Sequence, residues 1–160
     1  MADTAPPTIA LKTSKSTLNS GSSALITFTL SELVTDFVLS DITYSGGVLS
    51  DFRGSGANYF VTFTPAVNST TSGAVSVGNF KFSDSAGNAN VDGTDLDNGV
   101  ILAIDTISPK LTISSSSKFL GLYESATLTF LLSEPSNNFD GSDLVVTGGA
   151  IKNFSGSGTR

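Results

Sequence analysis

Apolar and polar residues alternate along much of the chain. Ala24, Ile26, Phe28 and Leu30 occupy every second position, with Thr27 and Thr29 between them, the period of a half-buried strand. Residues 59–64 repeat the pattern, with Tyr59, Val61 and Phe63 opposite Phe60, Thr62 and Thr64. The same reading predicts strands over 9–13, 37–44 (bent at Ser40-Asp41), 48–53, 75–82 and 100–105, separated by clusters of Gly, Ser, Asn and Asp that favour turns. No segment carries helical periodicity. Each large inward side chain, such as Ile26 or Phe28, takes roughly 1.5–3 kcal/mol of apolar surface out of water.

The pattern then recurs. Shifted by 102 residues, the chain matches itself at 21 of 56 aligned positions without a gap. Asp3-Thr4 falls on Asp105-Thr106, Ser31-Glu32 on Ser133-Glu134, Ser40-Asp41 on Ser142-Asp143, and Gly54-Ser55-Gly56 on Gly156-Ser157-Gly158. Residues 1–104 read as one complete repeat and 105–160 as the N-terminal part of a second, truncated one, expected to supply four strands and to leave a long unpaired edge. About seven strands in roughly 100 residues is the size and spacing of an immunoglobulin-like antiparallel β-sandwich, here all-β and in tandem.

Composition narrows the function. The chain has no Cys, no His and no Trp, and a net charge of −6. Without Cys no disulfide framework exists, so a core or bound ions must hold the fold. Lack of His removes the commonest general base near neutral pH, and Ser without His or a placed Lys is not an activated nucleophile, so the chain does not read as an enzyme. The acidic balance argues against nucleic acid, and no apolar run nears the ~20 residues that span a bilayer. Gly46-Gly47 and Gly54-Ser55-Gly56 read as turns rather than phosphate cradles, since no helix follows them.

Several ordered motifs carry a resemblance. Asp3 to Pro7, Phe28 to Glu32, Ser40 to Thr43, Ser45 to Gly47, Gly54 to Gly56, Tyr59 to Pro65 and Asp84 to Asn88 together resemble the bacterial Ig-like tandem repeats of large secreted, RTX-type surface adhesins. That resemblance implies an extracellular or cell-surface module, a spacer in an adhesin stalk whose immediate partners are neighbouring repeats of the same chain. It also implies stiffening by Ca²⁺ near repeat junctions, with any host-surface or glycan target elsewhere in the parent. The alternatives are a repeat that itself binds a glycan or protein through its loops, or a phage or virion-surface module.

Topology gathers the acidic residues. In such a sandwich the start of the chain, the loop after the second predicted strand and the loop from Asp84 to Asn98 share one end. That places Asp3, Glu32 and the loop together, with Asp3, Glu32 and Asp84 resting on topology plus the resemblance and Asp92, Asp95 and Asp97 on local charge; Asp105 and Glu134 take the equivalent places in the second copy. Between Lys81 and Lys110 stand five Asp and no Lys or Arg, a density that a cation would relieve. Ca²⁺ accepts six to eight oxygens of this kind, so all eight carboxylates are candidate metal ligands. Asn88, Asn90, Asp92 and Gly93 imitate the first half of an EF-hand loop, but Asn opens it and Gly99 stands at position twelve, which excludes a true EF-hand. The competing reading is a solvated cluster chosen for turn chemistry.

Overall fold

Seven strands build the first repeat: β1 (Ile9–Thr13), β2 (Thr17–Asn19), β3 (Ala24–Val34), β4 (Ile42–Ser45), β5 (Gly47–Pro65), β6 (Gly73–Val77) and β7 (Gly99–Asp105). The second contributes β8 (Leu111–Ser115) and β9 (Leu128–Leu132). The structure, a computed structural model, describes residues 3–160, which form two compact bodies that divide between Ile107 and Ser108. The first body thus runs past residue 104, because Asp105 still pairs with Asn19 of β2 and the Thr106 hydroxyl donates to the Ala66 carbonyl.

The first body is an Ig-like sandwich of two sheets, ordered β1-β3-β5 and β2-β7-β6-β4. β3 lies between antiparallel neighbours, Ile9 opposite Leu30 on one side and Ala24 opposite Phe63 on the other. The 19-residue β5 doubles back on itself at Gly54 and Gly56, both at positive φ. Gly47 thereby comes against the Thr64 backbone and the Phe63 ring, where any Cβ would overlap, so only glycine fits the close approach.

Inward residues of both sheets form one buried cluster, with Ile26, Phe28, Val61, Phe63, Val75 and Leu102 fully enclosed. Phe37 is its hub, its ring centroid 5.5 Å from Phe28, 5.1 Å from Tyr59, 5.5 Å from Phe82 and 5.9 Å from Phe52. Edge-to-face packing of this kind adds to the gain from burial alone.

The structure departs from the predicted elements at several points, the strands expected over 48–53 and 59–64 being the two halves of β5. Residues 37–44 are not one strand: a 3-10 turn, Leu39–Asp41, interrupts them, with the Val38 N–H donating to the Asp41 carboxylate. The strand expected over 75–82 stops at Val77, since Asn90 draws the following backbone out of the ladder. β2 is additional, a three-residue strand parallel to β7.

In the second body β8 and β9 pair, and a 3-10 turn, Gly141–Asp143, follows. The two further strands expected there do not form among the described residues. Their counterparts in the first repeat depend on later partners: β4 pairs with β6, and residues 47–53 lie along the second half of β5.

Phe37 is therefore the residue whose loss should cost most. Phe37→Ala should destabilise the first body by about 3–5 kcal/mol, read from hydrogen exchange of the β3 amides in the full chain.

Candidate metal centre

Residues 78–98 must reach from β6 to β7 without a regular strand, and two side chains organise them. Asn90, fully buried, accepts from the Lys81 and Phe82 N–H groups and donates to the Gly78 carbonyl and the Asp92 carboxylate. Phe82 sinks into the core against Phe37. With that stem fixed, Ser83 pairs with Ala89 across a tight turn. Asp36 clamps the turn to the loop after β3, its carboxylate accepting from both the Ser83 N–H and hydroxyl, the latter at 2.6 Å.

Asp84 sits at the head of this turn, 8% exposed. One carboxylate oxygen accepts from the Ala86 and Asn88 N–H groups at 2.9 and 2.8 Å, and the other from the Asn88 amide at 2.7 Å. The same Asn88 amide also donates to the Asp3 carbonyl at 3.2 Å, tying the segment before β1 to the loop. Glu32, on β3 below, completes the group. Asp3, Glu32 and Asp84 each offer an oxygen, all within 4.8 Å of one another. The electrostatics follow from the donors each acid meets. Donation by the Asn88 side chain, then by neighbouring backbone N–H groups, holds Asp84 below its ordinary value. Glu32 is pushed up, first by desolvation and then by the charges of Asp84 and Asp3.

The structure places the other candidate acids outside this trio. Asp92 is buried at 8% exposure and structural: its oxygens accept from the Ile9 N–H at 2.6 Å and the Asn90 amide at 3.0 Å, fastening the start of β1 to the loop. Asp95 and Asp97 are exposed and line, with Asp92, a shallow depression beside Thr8–Ala10. Asp105 is exposed at the end of β7 in the first body, and Glu134 is half-buried beyond β9 in the second. The EF-hand-like spacing of Asn88, Asn90 and Asp92 serves the backbone: the Asn88 amide donates to the Asp3 carbonyl, the Asn90 amide to the Gly78 carbonyl, and the Asp92 carboxylate accepts from the Ile9 N–H. Asp36 was not legible as part of the arrangement. Its partner Ser83 lies 47 positions away, a separation no local motif reports.

Two expectations separate these roles. Asn90→Ala strips partners from the buried Phe82 N–H and from the part-buried Lys81 N–H and Gly78 carbonyl, a cost of about 1–3 kcal/mol for the buried group and less for the others, whereas Asp95→Asn should stay within about 0.5 kcal/mol of the parent; denaturant unfolding of the full chain compares them. The second concerns pH. Glu32 carries a raised value in the folded state, so its ionisation destabilises the fold as pH rises above the unfolded value of 4.5, and protonation removes that penalty. Asp84 runs the other way, its stabilisation lost as pH falls below 3.8. In chelator, melting temperature should therefore rise on mild acidification from neutrality and fall again in stronger acid. Glu32→Gln should abolish the rise while keeping the fall.

Among the described residues no helix is long and apolar enough to cross a membrane. The family described as bacterial Ig-like domain matches residues 3–101 and again 105–160. No curated protein and no solved structure matches the chain. Domains of this family are generally structural, non-enzymatic modules, typical of surface or secreted proteins. With the two matches following the internal repeat and together spanning nearly all of the sequence, the chain belongs to the bacterial Ig-like domain family.

Proposed function

We propose that this chain is a spacer segment of a bacterial cell-surface adhesin stalk and that its first sandwich binds Ca²⁺ through Asp3, Glu32 and Asp84. The observation that carries the reading is the convergence of those three carboxylates from three places in the chain: the segment before β1, β3, and the loop after β6. An ion there would join the lead-in segment to the body of the sandwich. Hinge motion just before β1 would then be restricted, which is what a stiff extender needs. Among the described residues, the Asp3 carboxylate accepts one hydrogen bond, from the Ala5 N–H to Oδ1. Carbonyls and water would supply the remaining oxygens that Ca²⁺ takes.

The proposed working place is outside the cell, with neighbouring repeats as direct partners and an adhesive target elsewhere in the parent. Extracellular modules bind Ca²⁺ with Kd near 10⁻⁴–10⁻³ M, so such a site would fill outside and empty inside. At free Ca²⁺ tenfold above Kd the ion adds about 1.4 kcal/mol, a shift of roughly 5–10 °C for a domain of this size.

Thermal melts of the full chain in Ca²⁺, in Mg²⁺ and in excess chelator test this. The expected result is a rise of that size, specific to Ca²⁺ and abolished by Asp84→Asn, with Asp97→Asn unaffected. Equal melting in all three conditions would make the trio a solvated turn cluster and turn attention to loop-borne ligand binding, where Phe80 and Val91 stand exposed.

A further inference from the structure

A pair of hydrogen-bonded strands can meet tension in two ways. Where the pulling points sit beside the same end of the pair, its bonds open one at a time. Where they sit at opposite ends, force runs along the strands and strains every bond together. An early strand pulled at its N-terminal end and a late strand pulled at its C-terminal end take load in the first way when antiparallel. They take it in the second way when parallel.

In the first body β2 and β7 are parallel, the one such pair among the described residues. Thr17 lies opposite Ala103, Leu18 opposite Ile104 and Asn19 opposite Asp105, and the Ala103 N–H donates to the Ser16 carbonyl at 2.8 Å. Leu18 and Ile104, 3 and 5% exposed, wall the pair off from water that would compete for its bonds. β7 divides its partners. Residues 99–102 pair with β6, whereas 103–105, the part nearest the exit, pair with β2.

The next residue is Thr106, 6% exposed. Its hydroxyl donates to the Ala66 carbonyl at 2.7 Å and accepts from the Ser69 N–H at 2.9 Å, and its own N–H donates to the Ser69 carbonyl at 2.9 Å. In sequence Asp105-Thr106 opens the second repeat, as Asp3-Thr4 opens the first. In the structure this Thr closes the first body. On the entry side β1 precedes β2, paired with β3 at five positions and fastened at its start by Asp92 on the Ile9 N–H.

We propose that the first sandwich bears tension along the chain, with β2 and β7 as a shear clamp and Thr106 as the latch at its exit. A pull on the segment before β1 draws β2 toward its own N-terminal end. A pull beyond Ile107 draws β7 toward its C-terminal end. The two forces oppose each other along one axis, so the bonds of the pair must fail together. Before β7 can move, Thr106 must give up its bonds to Ala66 and Ser69. Three residues is short for a strand, and the place of β2 between the two pulling points gives it an effect beyond its length. The need for such a clamp rests on the spacer reading, since a stalk passes on the pull that its tip meets.

The chain has no Cys, so paired thiol handles for single-molecule force spectroscopy can be placed at chosen positions in the full chain. Ala5→Cys with Ile107→Cys loads β2 and β7 in shear. Ser20→Cys with Ile107→Cys peels the same pair apart from its Asn19–Asp105 end. In chelator the unfolding force is expected to be several-fold higher for the first pair of handles than for the second. Thr106→Val, which keeps the shape of the side chain and removes its hydroxyl, should lower the force in the shear direction. Equal forces in the two directions overturn the clamp, and an unchanged shear force with Thr106→Val overturns the latch. Should the valine variant not fold, the comparison of directions decides by itself. With chelator present throughout, a negative result leaves the Ca²⁺ reading to the melts, and a chain indifferent to Ca²⁺ could still show the clamp.

Discussion

The contact on which the first sandwich depends is Phe37 among Phe28, Phe52, Tyr59 and Phe82. These rings come from β3, from both halves of β5 and from the loop after β6, so a single side chain makes four stretches of chain mutually dependent. Packing at protein-interior density leaves little room for any one of them to shift alone. Tyr59 adds a polar tie, its hydroxyl donating to the Val34 carbonyl at 3.2 Å. That bond fixes the end of β3, and Glu32 stands two residues before it.

The acidic end is therefore a consequence of the core. Phe82 is held by Phe37, and Asp84 follows it by two residues. Asn90 supplies what a strand would have supplied, meeting N–H and C=O groups of a partly buried stem. From this rigid base the turn projects Asp84 toward Asp3 and Glu32. Removing the stem would scatter the carboxylates even with each of them still present in the sequence.

Much of this was legible in the residues. The alternation at 9–13 and 24–31 marks β1 and most of β3, and the 102-residue offset foretells that β8 and β9 share their register. Topology, together with the resemblance, brought Asp3, Glu32 and the loop that starts at Asp84 to one end. What the sequence hid were pairings without a local signature. β2 is three residues long and exists because β7 lies beside it. The early end of β6 reflects a buried Asn twelve residues beyond Gly78, a capture no periodicity encodes. Asp92 looked like its neighbours Asp95 and Asp97, since charge density does not distinguish a carboxylate facing solvent from one facing the Ile9 N–H.

That last distinction governs what the acidic residues can do. Asp92 spends its two oxygens on the Ile9 N–H and the Asn90 amide and, among the described residues, joins no cluster of acids. Asp84 also meets amides at both oxygens, which keeps it ionised, but its neighbours are less well provided. Glu32 accepts no hydrogen bond among the described residues and feels two negative charges, so its value moves up while that of Asp84 moves down. Within 4.8 Å, Glu32 therefore stands beside an anion that stays ionised. A proton at Glu32 relieves that repulsion at acid pH. At neutral pH the proposed Ca²⁺, a hard cation with flexible oxygen coordination, would take that role.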